Sequence, residues 1–144
     1  MRIEIEKKGG GASVLRCTRR DGSVTFQRHE GKQGAFFPIH DLTHLAVESE
    51  LSRPEGFFAL VASGWELEET TGKGPRGPLP EGAVAVEKLV GLLDLERAGV
   101  ARWEPADLGL TADEADRVRR RLAELLGRWV ALPVGGTLAV DFDR

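Results

Sequence analysis

Apolar residues alternate with polar ones at the start of the chain, and this period of two is typical of β-strands. Ile3 and Ile5 stand between charged residues, and Leu15 and Cys17 repeat the pattern after a run of three glycines. Successive side chains of a strand point to opposite faces, so each apolar pair would lie on one face of a sheet. We therefore predict two strands here, with Cys17 in a buried, apolar position.

Two further strands are predicted on the same grounds. Asp21-Gly22 separates the second strand from the alternating segment 24–27, and this dipeptide favours a tight hairpin turn. Near the C-terminus, segment 137–142 alternates again but has no clear hairpin partner beside it. We expect this last strand to return and pair with the N-terminal strands.

The middle of the chain has a helical period instead. From Pro38 onward, apolar residues recur at the spacing of a helix face, and segment 52–55 has the sequence of a capping box that would begin a second helix. Segment 70–82 holds four glycines and three prolines, which predicts a loop. Two more helices are predicted, over 84–98 and from a second capping box at Thr111.

These patterns together predict one α+β domain over 1–144. A small antiparallel sheet of three N-terminal strands and a C-terminal strand would carry about four helices packed on one face. The predicted segments are a β-meander at 1–30, a two-helix segment at 38–65, a loop at 70–82, two helices at 83–127 and a strand at 136–143.

Composition narrows the classes of function. The net charge is −3, whereas binding to nucleic acid rests on many Lys and Arg contacts with phosphate. No apolar run approaches the roughly 18 residues of a membrane-spanning helix, and the N-terminus has no signal-peptide pattern. A single cysteine fits a reducing compartment. We expect a cytoplasmic protein that binds neither nucleic acid nor membrane.

One motif carries candidate chemistry. His40 and His44, two of the three histidines, stand four residues apart, and Glu48 follows one turn later. On a helix these side chains lie above one another on one face, which is the spacing of two metal-ligating histidines. Val47 and Leu51 share that side of the helix, so we expect another element to cover it or a cleft to form there.

Three interpretations of the motif stay open. In the first, His40 and His44 bind a divalent metal such as zinc, and Asp41 takes the place of the general base in the His-Glu-x-x-His helix of zinc peptidases. In the second, a histidine and a carboxylate act as acid and base without a metal. In the third, His44 and Glu48 form a structural ion pair and no chemistry takes place.

A bound metal would need a further ligand. His40 and Glu48 lie about 12 Å apart along the helix axis, so one ion cannot comfortably contact both. One ligand set is His40 and His44 with a third group, either His29 or an acidic residue from elsewhere. The other set is His44 and Glu48, with His40 as an outer group.

The same segment carries a resemblance. The run 40–48, His-Asp-Leu-Thr-His-Leu-Ala-Val-Glu, followed by 56–65, Gly-Phe-Phe-Ala-Leu-Val-Ala-Ser-Gly-Trp, resembles a group of small uncharacterised bacterial proteins that share this two-helix segment. The resemblance extends more loosely to the strand-rich start and to the ending 128–136. It implies no particular activity.

The sequence thus predicts a small cytoplasmic protein with a histidine and carboxylate site that could hold a divalent metal such as zinc, and with an unidentified small molecule or protein as its partner. The alternative is a non-catalytic interaction module or small homodimer with structural histidines. A metal site requires His40 and His44 to converge on a cavity with a third polar group, whereas an interaction module requires a contiguous exposed apolar patch.

Overall fold

The computed structural model of the chain describes residues 1–143. Over that range the chain forms four strands and four α-helices, which confirms the predicted α+β class. The strands are β1 (Arg2–Lys7), β2 (Ser13–Thr18), β3 (Val24–His29) and β4 (Thr137–Asp141), and the helices are α1 (Gly31–Leu51), α2 (Phe57–Ala62), α3 (Glu81–Arg97) and α4 (Ala112–Ala131). Short 3₁₀ helices cover Gly9–Gly11, Leu67–Thr71 and Pro105–Leu108.

The sheet is antiparallel, and its strand order is β3-β2-β1-β4. Ile3 lies opposite Cys17 on one side and opposite Val140 on the other, so the C-terminal strand joins the N-terminal meander as predicted. The predicted hairpin turn is also present, with Gly22 at a φ of 86°, which only glycine adopts without strain.

The inward face of the sheet forms one wall of the hydrophobic core. Ile3, Ile5 and Leu15 are at most 2% exposed and belong to the same apolar cluster as residues of α1, α3 and α4. Cys17 is buried as predicted, and burial together with the nearby Asp41 carboxylate raises the pKa of its thiol to about 12. A thiol with so high a pKa is not a nucleophile near neutral pH.

Helix α1 is the central helix of the fold. It contacts α2, α3, α4 and the sheet, and it is buried without interruption from Asp41 to Glu48. This confirms that the side of the helix that carries the histidines is covered by another element. The same burial explains why its sequence is apolar on two faces, because a helix surrounded by protein has no solvent-facing side over these turns.

The start of α1 corrects the predicted boundary. The helix begins at Gly31, about two turns before Pro38. The first turns lie directly on the β1 to β2 connection, where a Cβ added at Gly34 would overlap the carbonyl oxygens of Gly11 and His29. Tertiary contact therefore extends the helix through a segment that the proline and glycines alone would have broken.

The start of α2 corrects a second prediction. Segment 52–55 is not a capping box, because Ser52 ends α1 in the left-handed conformation at a φ of 50°. Glu55 instead accepts a hydrogen bond from the backbone N–H of Gly82 at the start of α3. The free N–H groups at the start of α2 are bound by Glu48, from the preceding helix.

The predicted capping box of α4 is confirmed. Thr111 accepts a hydrogen bond from the backbone N–H of Glu114 at 3.1 Å, and the Glu114 carboxylate accepts one from the backbone N–H of Thr111 at 3.0 Å. Among the helices of residues 1–143, none combines the length and the apolar character needed to span a bilayer.

Candidate metal centre

The two histidines of the motif lie on successive turns of α1 and face α3. Their ring centroids are 4.9 Å apart. Helix α3 packs along this side of α1 and presents two carboxylates, Glu87 and Asp94, from one of its own faces. The site is therefore built from two helices whose apolar positions pack in the core and whose polar positions meet at one edge of their interface.

Three side chains converge on one point at this interface. Nε2 of His44 lies 3.0 Å from one oxygen of Glu87, and Nε2 of His40 lies 3.8 Å from the other oxygen. One ligand atom from each of the three residues lies within 4.8 Å of the others, close enough to hold a single metal ion. Ligand atoms on a tetrahedral zinc ion lie about 3.3 Å apart, given bond lengths of about 2.0–2.1 Å.

Each histidine is held from behind by a second carboxylate. Nδ1 of His40 lies 2.7 Å from Asp94, and Nδ1 of His44 lies 3.1 Å from Glu48. An ionised carboxylate only accepts hydrogen bonds, so Nδ1 is the protonated nitrogen of each neutral ring. The Nε2 lone pairs are then left free to bind a metal. Carboxylate-bound histidines of this kind are the usual arrangement around protein metal ions.

His44 is the most constrained member of the cluster. Its side chain is 1% exposed, and its Nε2 makes no hydrogen bond with any residue of 1–143, although Glu87 is only 3.0 Å away. Burial disfavours a charge on this ring, but the contacts with Glu48 and Glu87 outweigh burial and raise the pKa of His44 to about 9. Without a metal the ring is therefore protonated near neutral pH.

The facing carboxylates are ionised as a consequence. Burial alone would raise the pKa values of Glu87 and Asp94, but contact with His44 and His40 respectively holds both pKa values below their ordinary range. Asp94 is further stabilised by Arg97, whose guanidinium lies 3.4 Å away. A cation at the centre, whether a proton or a metal ion, is thus matched by negative charge on both helices.

Glu48, one of the predicted metal ligands, lies behind His44 and outside the convergent group. It is fully buried, with one oxygen on Nδ1 of His44 and the other accepting the backbone N–H groups of Phe58 at 2.9 Å and Ala59 at 3.1 Å. The i, i+4 contact of His44 with Glu48, as in the structural interpretation of the motif, is therefore present. The carboxylate also joins α1 to the start of α2.

His29, the other predicted ligand, is close to the site but is not brought into the group. It ends β3, and its ring stacks on Phe37 with the centroids 4.2 Å apart. The ring is 8% exposed, and burial lowers its pKa. It makes no hydrogen bond through its side chain to any part of the chain that the structure describes.

A cavity of about 350 Å³ opens beside the three convergent side chains. Its apolar wall consists of Phe37, Phe57, Leu67 and Leu79. Its polar lining includes His29 and Asp41, the predicted general base, in addition to the cluster itself. Asp41 is 4% exposed, and burial raises the pKa of its carboxyl to about 7 despite the opposing effect of both cluster histidines.

Sequence reasoning anticipated an acidic third group but did not identify Glu87 or its neighbour Asp94. Both lie in the predicted helix 84–98, two turns apart and therefore on one face. The predicted segment also contains Lys88, Glu96 and Arg97, so this spacing did not by itself single out Glu87 and Asp94. It became specific only once α3 was known to pack against the histidine side of α1.

Comparisons with known proteins add no further guide to this site. The chain matches no protein-family profile, no curated protein and no solved structure.

Proposed function

We propose that this protein binds one divalent metal ion, with zinc the best match, through His40, His44 and Glu87. The observation that carries the proposal is the orientation of the two rings: each is tied by Nδ1 to a carboxylate of its own and directs Nε2 toward the third group. Two imidazoles and one carboxylate form a ligand set that zinc enzymes use.

The site has the composition of a catalytic centre rather than a structural one. Structural zinc sites are usually closed by four protein ligands, whereas catalytic sites keep three and leave a position for water or substrate. Three ligands beside a cavity of about 350 Å³ fit the second description. A metal held there would polarise a bound water or carbonyl group, and hydrolysis is the reaction class that such a centre most directly supports.

Asp41 has a proposed part in this reaction as the acceptor of a proton or hydrogen bond beside the metal. The support is its place in the wall of the cavity next to the ligand His40. Its side chain is one methylene shorter than the glutamate of the zinc peptidase helix. Replacing it by Asn keeps its size, so hydrolysis of a reporter ester such as 4-nitrophenyl acetate should fall while zinc stoichiometry is unchanged.

Calorimetric titration of the untagged, metal-free protein with zinc tests the metal proposal. We expect one zinc per chain in the parent protein and in His29→Ala, which removes the third histidine from the same cavity without touching the cluster. His40→Ala and His44→Ala should lose the site. Because His44 is buried, Glu87→Gln is the safer variant for folding, and it should weaken binding while the circular dichroism spectrum stays unchanged.

Equal zinc binding by the parent protein and all cluster variants would contradict the proposal. The alternative prediction of an interaction module or homodimer is tested by the same preparation, because sedimentation would detect self-association.

A further inference from the structure

The cavity beside the cluster is strongly biased in charge. Among the residues that the structure describes, its lining contains the carboxyl groups of Asp41 and Glu87, three histidines and no Lys or Arg. Glu48 and Asp94 stand directly behind the histidines. Arg97 lies 3.4 Å from Asp94 and is not part of the cavity wall.

A bound divalent metal would not reverse this bias. Its two positive charges would face the carboxylates of Glu87, Glu48 and Asp94, in addition to the carboxyl group of Asp41. Recognition of carboxylates and phosphates in proteins depends on Arg, Lys or an array of free N–H groups. A ligand with a carboxylate or phosphate would have to leave water for a cavity that offers its anionic group no cation other than the metal.

The cavity also contains buried polar groups without partners. Asp41 and His29 are each less than a tenth exposed, and neither side chain makes a hydrogen bond to any residue of 1–143. Gln27, which is only partly buried, lines the same wall and makes no side-chain hydrogen bond within the described chain. Polar groups at a cavity that have no partner in the protein are satisfied by water or by a ligand, so these side chains are available to a bound molecule.

From this combination we infer that the cavity binds a small uncharged molecule that donates a hydrogen bond, with a simple amide as its type, and discriminates against carboxylates and phosphates of the same size. The inference rests on the proposed metal centre. An amide carries a neutral carbonyl oxygen suited to a metal and an N–H donor suited to a buried acceptor such as Asp41. Its apolar part would lie against Phe37 and Phe57.

Benzamide, benzoate and phenyl phosphate share one ring and differ in the charge of the polar group, so they form a matched set of probes. We would titrate each into zinc-loaded, ¹⁵N-labelled protein up to about 10 mM, where even millimolar affinities are measurable by NMR. Benzamide should shift resonances of cavity residues and bind at least about tenfold more tightly than benzoate or phenyl phosphate.

Two variants separate a specific effect of the cavity from the general charge of the protein. Asp41→Asn removes one carboxylate from the wall without changing its shape, and it should bring benzoate to within about threefold of benzamide. Glu68→Gln removes one carboxylate from the exposed surface of the neighbouring 3₁₀ helix Leu67–Thr71. It should leave the preference of the parent protein unchanged.

The outcomes distinguish the two proposals. If zinc binds stoichiometrically but the anionic probes bind as tightly as benzamide or more tightly, the ligand inference alone is overturned. The absence of any NMR shift at cavity residues would also overturn it. A shift of the preference by Glu68→Gln equal to that by Asp41→Asn would also overturn it, because the discrimination would then come from net charge. No zinc binding would overturn both proposals.

Discussion

His44 and Glu48 form a buried pair that connects the candidate metal centre to the start of α2. Nδ1 of His44 contacts one carboxylate oxygen of Glu48 at 3.1 Å, and the other oxygen accepts two backbone N–H groups of α2. A single carboxylate therefore orients a ligand and caps a six-residue helix. Because α2 also contributes Phe57 to the cavity wall, the position of the proposed metal ligand His44 and the shape of the cavity depend on the same group.

Substitution of Glu48 by Gln should weaken zinc binding without removing a ligand. The amide NH₂ would face Nδ1 of His44 when the amide oxygen caps α2, and it would favour the tautomer that has its proton on Nε2. Loss of an outer carboxylate of this kind costs about 10- to 100-fold in metal affinity. Calorimetry measures the change, and Glu50→Gln on the same helix is the matched control. Parent-like affinity in Glu48→Gln would contradict an orienting role.

Substitution of Gly56 by Ala should disturb the same carboxylate from the opposite side. A Cβ at Gly56 would overlap the Glu48 side chain, and overpacking of this kind costs about 1–3 kcal/mol. We expect a lower free energy of unfolding in urea together with weaker zinc binding. Gly91→Ala on α3 is the control, because a Cβ there meets no atom within 4 Å and should stabilise that helix by about 0.5–1 kcal/mol.

The fold was largely readable from local periodicity, whereas the capping of α2 was not. The alternation at Ile3 and Ile5 depends only on which face of the strand is buried, and the residues next to them in the sequence indicate that face. The interpretation of 52–55 as a capping box failed because Ser52 ends α1 in the left-handed conformation and α2 begins only at Phe57, where Glu48 of the preceding helix binds the free N–H groups. Only the tertiary arrangement of α1 and α2 brings that carboxylate to the helix start.

One part of the candidate site was likewise predictable from the sequence, and another part was not. The spacing of His40 and His44 follows from helix geometry, so their shared face was predictable. His40 pairs with Asp94, which lies 54 residues further along the chain. On sequence grounds, several acidic residues of α3 could have faced the histidines equally well. Which of them face the histidines depends on the packing angle and register of α3, and the periodicity of the sequence determines neither.

Zinc affinity should rise with pH between about 6 and 8. His44 has a pKa of about 9 in the metal-free protein, so zinc must displace a proton from the ring over this whole interval. For each proton that zinc displaces, the apparent zinc affinity rises about tenfold per unit increase in pH, as long as the pH is below the pKa of the displaced group. Titrations in buffers of different ionisation enthalpy count the released protons. Affinity independent of pH would mean that zinc does not bind to His44.

Stability of the metal-free protein should fall as the pH rises from about 7 to 9. The folded pKa of His44, about 9, exceeds its ordinary value of 6.5. The protonated ring therefore stabilises the folded state fully below pH 6.5, and this contribution is lost as the pH approaches 9. Asp41, with a folded pKa of about 7, acts in the same direction at the lower end of this interval. The lowered pKa of His29 acts in the opposite direction, but only below pH 6.5.

Urea unfolding of the metal-free protein at about pH 7 and pH 9 measures this loss. His40 and Asp41 lie near His44 on its own helix, and the two carboxylates in contact with its ring are Glu48 and, on α3, Glu87. Glu87→Gln removes one of them and should shrink the difference in the free energy of unfolding between the two pH values. Zinc-loaded parent protein should show the smallest difference, because the metal replaces the proton on His44. An equal loss of stability in all three samples would show that a group outside this cluster titrates.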